Sequence, residues 1–153
     1  MEQKTEEKAY AFHGWEHADV RPAAAEYSAV RDPRHLYDLL SGIWCAETCA
    51  PRMRKDWTQE NKTLGQCSIT AFLAQDIFGG RVFGVPLGDG NYHCFNVVGD
   101  CVFGLTSEQF GGTVLDYSHC PEQFRELHFA KAEKYQRYEL LKEKLRSKLS
   151  AVS

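Results

Sequence analysis

The stretch Leu64-Gly65-Gln66-Cys67-Ser68-Ile69-Thr70-Ala71-Phe72 decides the architecture, because it places a lone cysteine where a loop turns into an apolar helix. Thr63 and Gln66 fit a Thr-x-x-Gln capping box, which makes Thr63 the cap and Cys67 the end of the first turn. With Gly65 as the cap instead, Cys67 lies deeper in the field of the helix dipole, and either start favours the thiolate. Ile69, Ala71, Phe72, Leu73, Ala74, Ile77 and Phe78 then put apolar side chains on nearly every face until Gly79-Gly80 stops the helix. Such a helix is central and buried.

Downstream, residues 81–85 read as a strand, Gly88-Asp89-Gly90-Asn91 as a turn and residues 92–98 as a second strand. Gly99-Asp100 is a two-residue hairpin loop leading into a third strand over residues 101–105. The result is an antiparallel meander on the cysteine helix. From Pro121 to about residue 149 the pattern predicts one long charged helix, with Pro121 at its first position and Tyr138, Leu141, Leu145 and Leu149 in one apolar stripe. The Lys142, Lys144, Arg146 and Lys148 run on it is a solvated face that complements the C-terminal dipole.

Upstream, Asp32-Pro33 is an N-cap and first-turn pair, and Leu36, Leu39, Leu40, Ile43 and Trp44 recur at helical spacing, predicting a helix over about residues 33–45. Residues 49–61, with Pro51 and mixed charges around Trp57, read as a loop with one aromatic anchor. Residues 1–30 carry weak periodicity, and Arg21-Pro22-Ala23-Ala24-Ala25 fits either a linker or a packed arm. We set residues 1–30 apart as an N-terminal arm, a candidate for poor order, and place a single domain over residues 31–153. Helices around a small antiparallel sheet make the fold class α+β.

The hairpin permits a sharper expectation, since strand side chains alternate faces and a two-residue loop sets the register. If Val98 pairs with Cys101, then Phe95 faces Gly104 and His93 faces Thr106. His93, Phe95, Val97, Val102, Gly104 and Thr106 then share one face, and Cys94 and Asn96 point to the other. A histidine on a core face beside the cysteine helix, 26 positions after Cys67, is where a general base would be held.

Composition bounds the chemistry. At 153 residues, 43% hydrophobic and 25% charged, the composition predicts a soluble single domain with enough chain to bury one core. No run approaches the roughly eighteen apolar residues of a membrane span, and Met1 to Lys8 lacks the apolar region of a signal peptide, so the expected location is the cytoplasm. A net charge of −3 with interspersed signs gives no reason to expect a nucleic-acid or membrane partner. Six cysteines in a chain with ordinary core residues read as free thiols of a reducing compartment. The exposed part of the Tyr138 to Leu149 stripe is a candidate contact for a second copy.

Taken together, Leu64-Gly65-Gln66-Cys67-Ser68-Ile69-Thr70-Ala71, Gln75-Asp76-Ile77-Phe78-Gly79-Gly80, His93-Cys94-Phe95-Asn96 and Leu105-Thr106-Ser107-Glu108-Gln109-Phe110 resemble, in that order, the motifs of the bacterial YunG-like proteins. Trp44 and Glu47-Thr48 are similar to that pattern too, so the resemblance covers roughly residues 35–115. It implies a papain-like arrangement, with a cysteine at a helix start meeting a histidine on a strand. The family pattern has an acidic residue just before Leu-Thr, where this chain has Gly104. Thr106 as a hydrogen-bond acceptor for His93 and Asp116 folding back are the candidate replacements; the remaining alternative is that the third member is missing.

The chemistry expected is acyl or amide cleavage through a Cys67 thioester, with His93 as base and then acid, on an unidentified small-molecule or peptide substrate. The backbone amide of Cys67 and the Gln66 side chain are candidate oxyanion donors, although Gln66 also completes the capping box. No cofactor is called for. Two other readings compete: a non-catalytic binding domain that uses the cleft around Gly104, and a zinc site in which Cys45 and Cys49 join His119 and Cys120.

Overall fold

The computed structural model describes residues 10–151. Among the described residues four α-helices, α1 (Pro33–Ser41), α2 (Cys67–Phe78), α3 (Arg125–His128) and α4 (Ala132–Ala151), surround one sheet of four strands, β1 (Arg81–Pro86), β2 (Tyr92–Val98), β3 (Cys101–Phe103) and β4 (Glu122–Gln123). The sheet order is β3-β2-β1-β4 and every neighbour is antiparallel. The fold is α+β.

Helix α2 is the axis of the core. Ile69, Phe72, Leu73, Ala74 and Ile77 are fully buried, and its backbone is tied to the sheet where Asn96 Nδ2 donates to the Ala71 carbonyl at 2.8 Å. Trp44 Nε1 donates to Thr70 Oγ1 at 3.0 Å from the other side. Gly79, at φ 83°, ends the helix in a conformation that an L side chain rarely adopts. Its one charged residue, Asp76, is paired with Arg125 at 2.9 Å and accepts from the Tyr138 hydroxyl.

Helix α1 starts as the sequence predicts, with Asp32 Oδ1 accepting from the His35 amide at 3.0 Å and Pro33 in the first turn, but it ends at Ser41. Beyond Gly42 the chain tightens so that the Ile43 and Trp44 amides both bond to the Leu40 carbonyl, which swings Trp44 into the core. Residues 49–61 wind into short 3₁₀ turns at Pro51–Asp56 and Gln59–Asn61, and Trp57 anchors them with a bond to the Lys62 carbonyl at 2.9 Å.

The hairpin register is Val98 with Cys101, Val97 with Val102 and Asn96 with Phe103. Pairing then stops. Gly104 turns away and bridges His13 of the N-terminal segment, donating to its carbonyl at 3.0 Å, while a 3₁₀ turn begins at Ser107. The third strand is therefore shorter than residues 101–105, and Thr106 never pairs with His93. Residues 10–30 form a packed segment with Phe12, Ala18, Tyr27 and Val30 in the core; residues 1–9 of the arm lie outside the described residues.

The long helix also departs from the pattern. Pro121 does not start it: the Pro121 carbonyl accepts from the Gly84 amide at 3.0 Å, and Glu122–Gln123 pair with β1 as its outer strand. The sheet edge offers this segment hydrogen bonds that a solvated first helical turn would not, and α4 begins only at Ala132. Tyr138, Leu141 and Leu145 are buried inside the chain's own core, and Leu149 packs partly buried against it. Among the described residues no helix is long and apolar enough to cross a membrane.

Truncating this stripe tests the packing. Leu141→Ala removes a fully buried side chain and is expected to cost about 3 kcal/mol in urea unfolding, with the oligomeric state in sedimentation unchanged.

Candidate active site

Cys67 is the first residue of α2, and Gln66 is its N-cap. The capping box does not form, because Thr63 Oγ1 is buried without a partner and the Gln66 amide instead donates to the Cys45 carbonyl at 3.1 Å. Gly65 makes this start possible. It sits at φ 70°, and a Cβ there would fall 2.5 Å from Cys49 Sγ and 2.9 Å from the Ala50 amide nitrogen. The loop is further pinned by Ala50 N–H to the Gly65 carbonyl at 2.9 Å and by Gly65 N–H to Gln109 Oε1 at 3.2 Å. Cys67 is thus held at the positive end of α2, among amides with no helical partner.

Two side chains that leave β2 in opposite directions meet at this thiol. Cys94 points towards α2 with Asn96, and His93 points away from it, so the helix packs on the face opposite the histidine rather than beside it. The head of α2 lies at the start of β2, where the Cys67 sulfur is 3.4 Å from the Tyr92 carbonyl and reaches both neighbours. The thiol is held well below its ordinary range by a hydrogen bond from Cys94 and by the contact with His93 and its charge, against the opposing effect of burial. The Cys94 thiol is pushed up correspondingly, as the donor to Cys67 and through its own burial.

His93 is completely buried beneath Phe110 and Tyr117, with ring centroids 4.8 Å and 6.0 Å away. Neither ring nitrogen completes a hydrogen bond, and Thr106 Oγ1 and Gln66 Oε1 are likewise buried without partners. The expected Thr106 bond to His93 is not made, since the strand ends before it. Asp116 does not replace it either, because its carboxylate accepts from Ser118. A Cβ on Gly104 would stand 3.4 Å from His93 Nε2, so the residue position that faces the ring is the one that lacks a side chain.

The thiol opens onto a cavity of about 540 Å³. Cys67, Tyr92, Phe110, His128, Lys134 and Arg137 are among the residues that line it. The sequence reading missed the last three. On one continuous helix, positions 128 and 134 project roughly 120° apart. The break between α3 and α4 instead lets Lys134 Nζ meet His128 Nδ1 at 2.9 Å. All six cysteines are free thiols, and among the described residues no group of three or more His, Cys, Asp or Glu side chains converges as a metal site, so Cys45, Cys49, His119 and Cys120 do not assemble the zinc set.

Residues 32–150 match the family described as YunG protein. The chain is 33% identical over 119 residues to the uncharacterised protein YunG of Bacillus subtilis (strain 168), an alignment covering 78% of this chain and 96% of that one. No solved structure matches.

Two measurements probe the geometry. The alkylation rate of Cys67 against pH is expected to have its midpoint below the ordinary thiol range, and Cys94→Ala is expected to move that midpoint upward, because the thiolate loses its donor. Gly104→Asp is expected to give His93 an acceptor at Nε2, visible as a new downfield imidazole N–H resonance that the Gly104→Ala control lacks.

Proposed function

We propose that this chain, which belongs to the YunG family, is a thiol-dependent hydrolase or acyl transferase with Cys67 as nucleophile and His93 as proton carrier. The arrangement we infer is papain-like in its logic: a cysteine at the head of a buried helix, and a histidine on the adjoining strand. One observation carries the reading. The thiol at the first position of α2 is acidified by Cys94 and His93 and opens onto a cavity large enough for a small molecule or a peptide side chain.

In this mechanism the Cys67 sulfur bonds to the acyl carbon, and the bond from that carbon to the leaving nitrogen or oxygen breaks. The thiol proton passes to His93 and then to the leaving group. The backbone amide of Cys67, at the unpaired end of α2, stabilises the oxyanion; the second Gln66 amide hydrogen is a further donor. Water, deprotonated by His93, then attacks the thioester, releases the acid and restores the thiol. An amine or alcohol in place of the water gives acyl transfer.

The second reading, a ligand-binding domain without turnover, draws on Gly104, which leaves His93 with no carboxylate to orient it. Thioester formation separates the two. With an activated acyl ester as probe, the wild-type protein is expected to gain one acyl group at Cys67 by mass spectrometry and to turn over. Cys67→Ala is expected to do neither while retaining its circular dichroism, and His93→Gln to slow acylation about a hundredfold. Wild-type turnover persisting in Cys67→Ala would overturn the mechanism. An unacylated wild-type Cys67 with an ordinary pH midpoint would favour the binder.

A further inference from the structure

The wall of the cavity carries more basic side chains than carboxylates. Glu133 is the acidic residue on that wall, and it is engaged: its carboxylate accepts from Arg137 Nε at 2.7 Å and lies 3.6 Å from Arg54 Nη2. Arg137 is buried, with a second bond from Nη1 to the Thr48 carbonyl at 3.2 Å, so this pair is closed. Lys134 is different. Among the described residues no carboxylate lies within ion-pair distance of it, and its bond is to His128 Nδ1.

The hydrogen-bond chain settles the protons. Gln123 Nε2 donates to the Pro121 carbonyl, which leaves Gln123 Oε1 to face His128 Nε2 at 2.9 Å. An amide oxygen accepts only, so His128 carries its proton on Nε2 and offers the Nδ1 lone pair to the Lys134 ammonium. Burial, with Lys134 and Lys131 nearby, keeps that imidazole neutral by lowering its pKa to about 4. The ammonium is therefore oriented by a neutral group, partly desolvated and without a carboxylate partner; the negative charge set near it is that of the Cys67 thiolate, in a cavity that Arg52 and Lys131 also line.

Acylation of Cys67 removes that thiolate charge, so a fixed cation beside it selects for a substrate that carries a negative group of its own. We propose that the cavity binds an anionic group of the acyl substrate, a carboxylate or a phosphate, with Lys134 as its anchor and His128 as the residue that positions Lys134. This inference rests on Cys67 being the nucleophile for its link to catalysis, and the binding site stands apart from that reading.

Iodoacetate and iodoacetamide test it, since they share size and leaving group and differ by one negative charge. The ratio of their rates at Cys67, read by mass spectrometry and divided by the same ratio for glutathione, cancels any change in thiolate fraction. At low salt it is expected to favour iodoacetate about tenfold, to fall towards one in Lys134→Met and to recover in Lys134→Arg. A wild-type ratio equal to that of glutathione overturns the proposal. If neither reagent modifies Cys67, the catalytic reading falls, and the site is judged by titrating succinate and inorganic phosphate against the His128 ring resonances. Saturable shifts that Lys134→Met abolishes support the site, and the tighter anion distinguishes carboxylate from phosphate; no shift with either overturns it.

Discussion

The seating of α2 against β2 is the constraint from which the rest of the structure follows. A helix with one charged side chain in twelve residues has no face to offer water, so it must be enclosed. Strand β2 covers one side, α4 another, and Trp44 closes the gap beyond α1. The Asn96 bond to the Ala71 carbonyl sets where along the strand the helix lies, because a buried amide is costly to leave unpaired. That longitudinal setting brings the first residue of α2 to the first residues of β2.

The candidate site is a consequence of this seating rather than of one sheet face. Alternation sends His93 and Cys94 to opposite sides of the strand, yet a thiol placed at the strand's end meets both. Cys94 supplies a proton donor from the helix side and His93 an imidazole from the other. The imidazole sits in an aromatic enclosure where neither ring nitrogen completes a hydrogen bond, which leaves its orientation to packing by Phe110 and Tyr117. The break between α3 and α4 contributes His128 and Lys134 to the lining of the cavity, where the two side chains meet.

Much of this could be read from the string of residues, and the successes share a cause. The cysteine helix, the three-strand meander, the Val98–Cys101 register and the Asp32 cap all rest on local chemistry: periodicity, turn residues and a side chain bonding its neighbour's backbone. The failures share one too. Thr106 was placed opposite His93 by extending the register, but His13, some ninety positions earlier, takes the Gly104 amide and ends the strand. The capping box was complete in sequence, but the Cys45 carbonyl claimed the Gln66 amide. The segment from Pro121 had helical composition, but the open edge of β1 paired with Glu122–Gln123. Each time a distant partner offered a bond that the local pattern did not include.

The amino-acid sequence by itself determined the α+β class, the central cysteine helix and the candidacy of Cys67 and His93, because residues within one helical turn or one hairpin specify those features. Only the tertiary structure decided that Cys67 starts the helix, that Cys94 lies close enough to acidify its thiol, and that Lys134 and His128 line the same cavity. Those relations depend on where β2, α2 and α4 come to rest against one another, and that is set by packing between segments far apart along the chain.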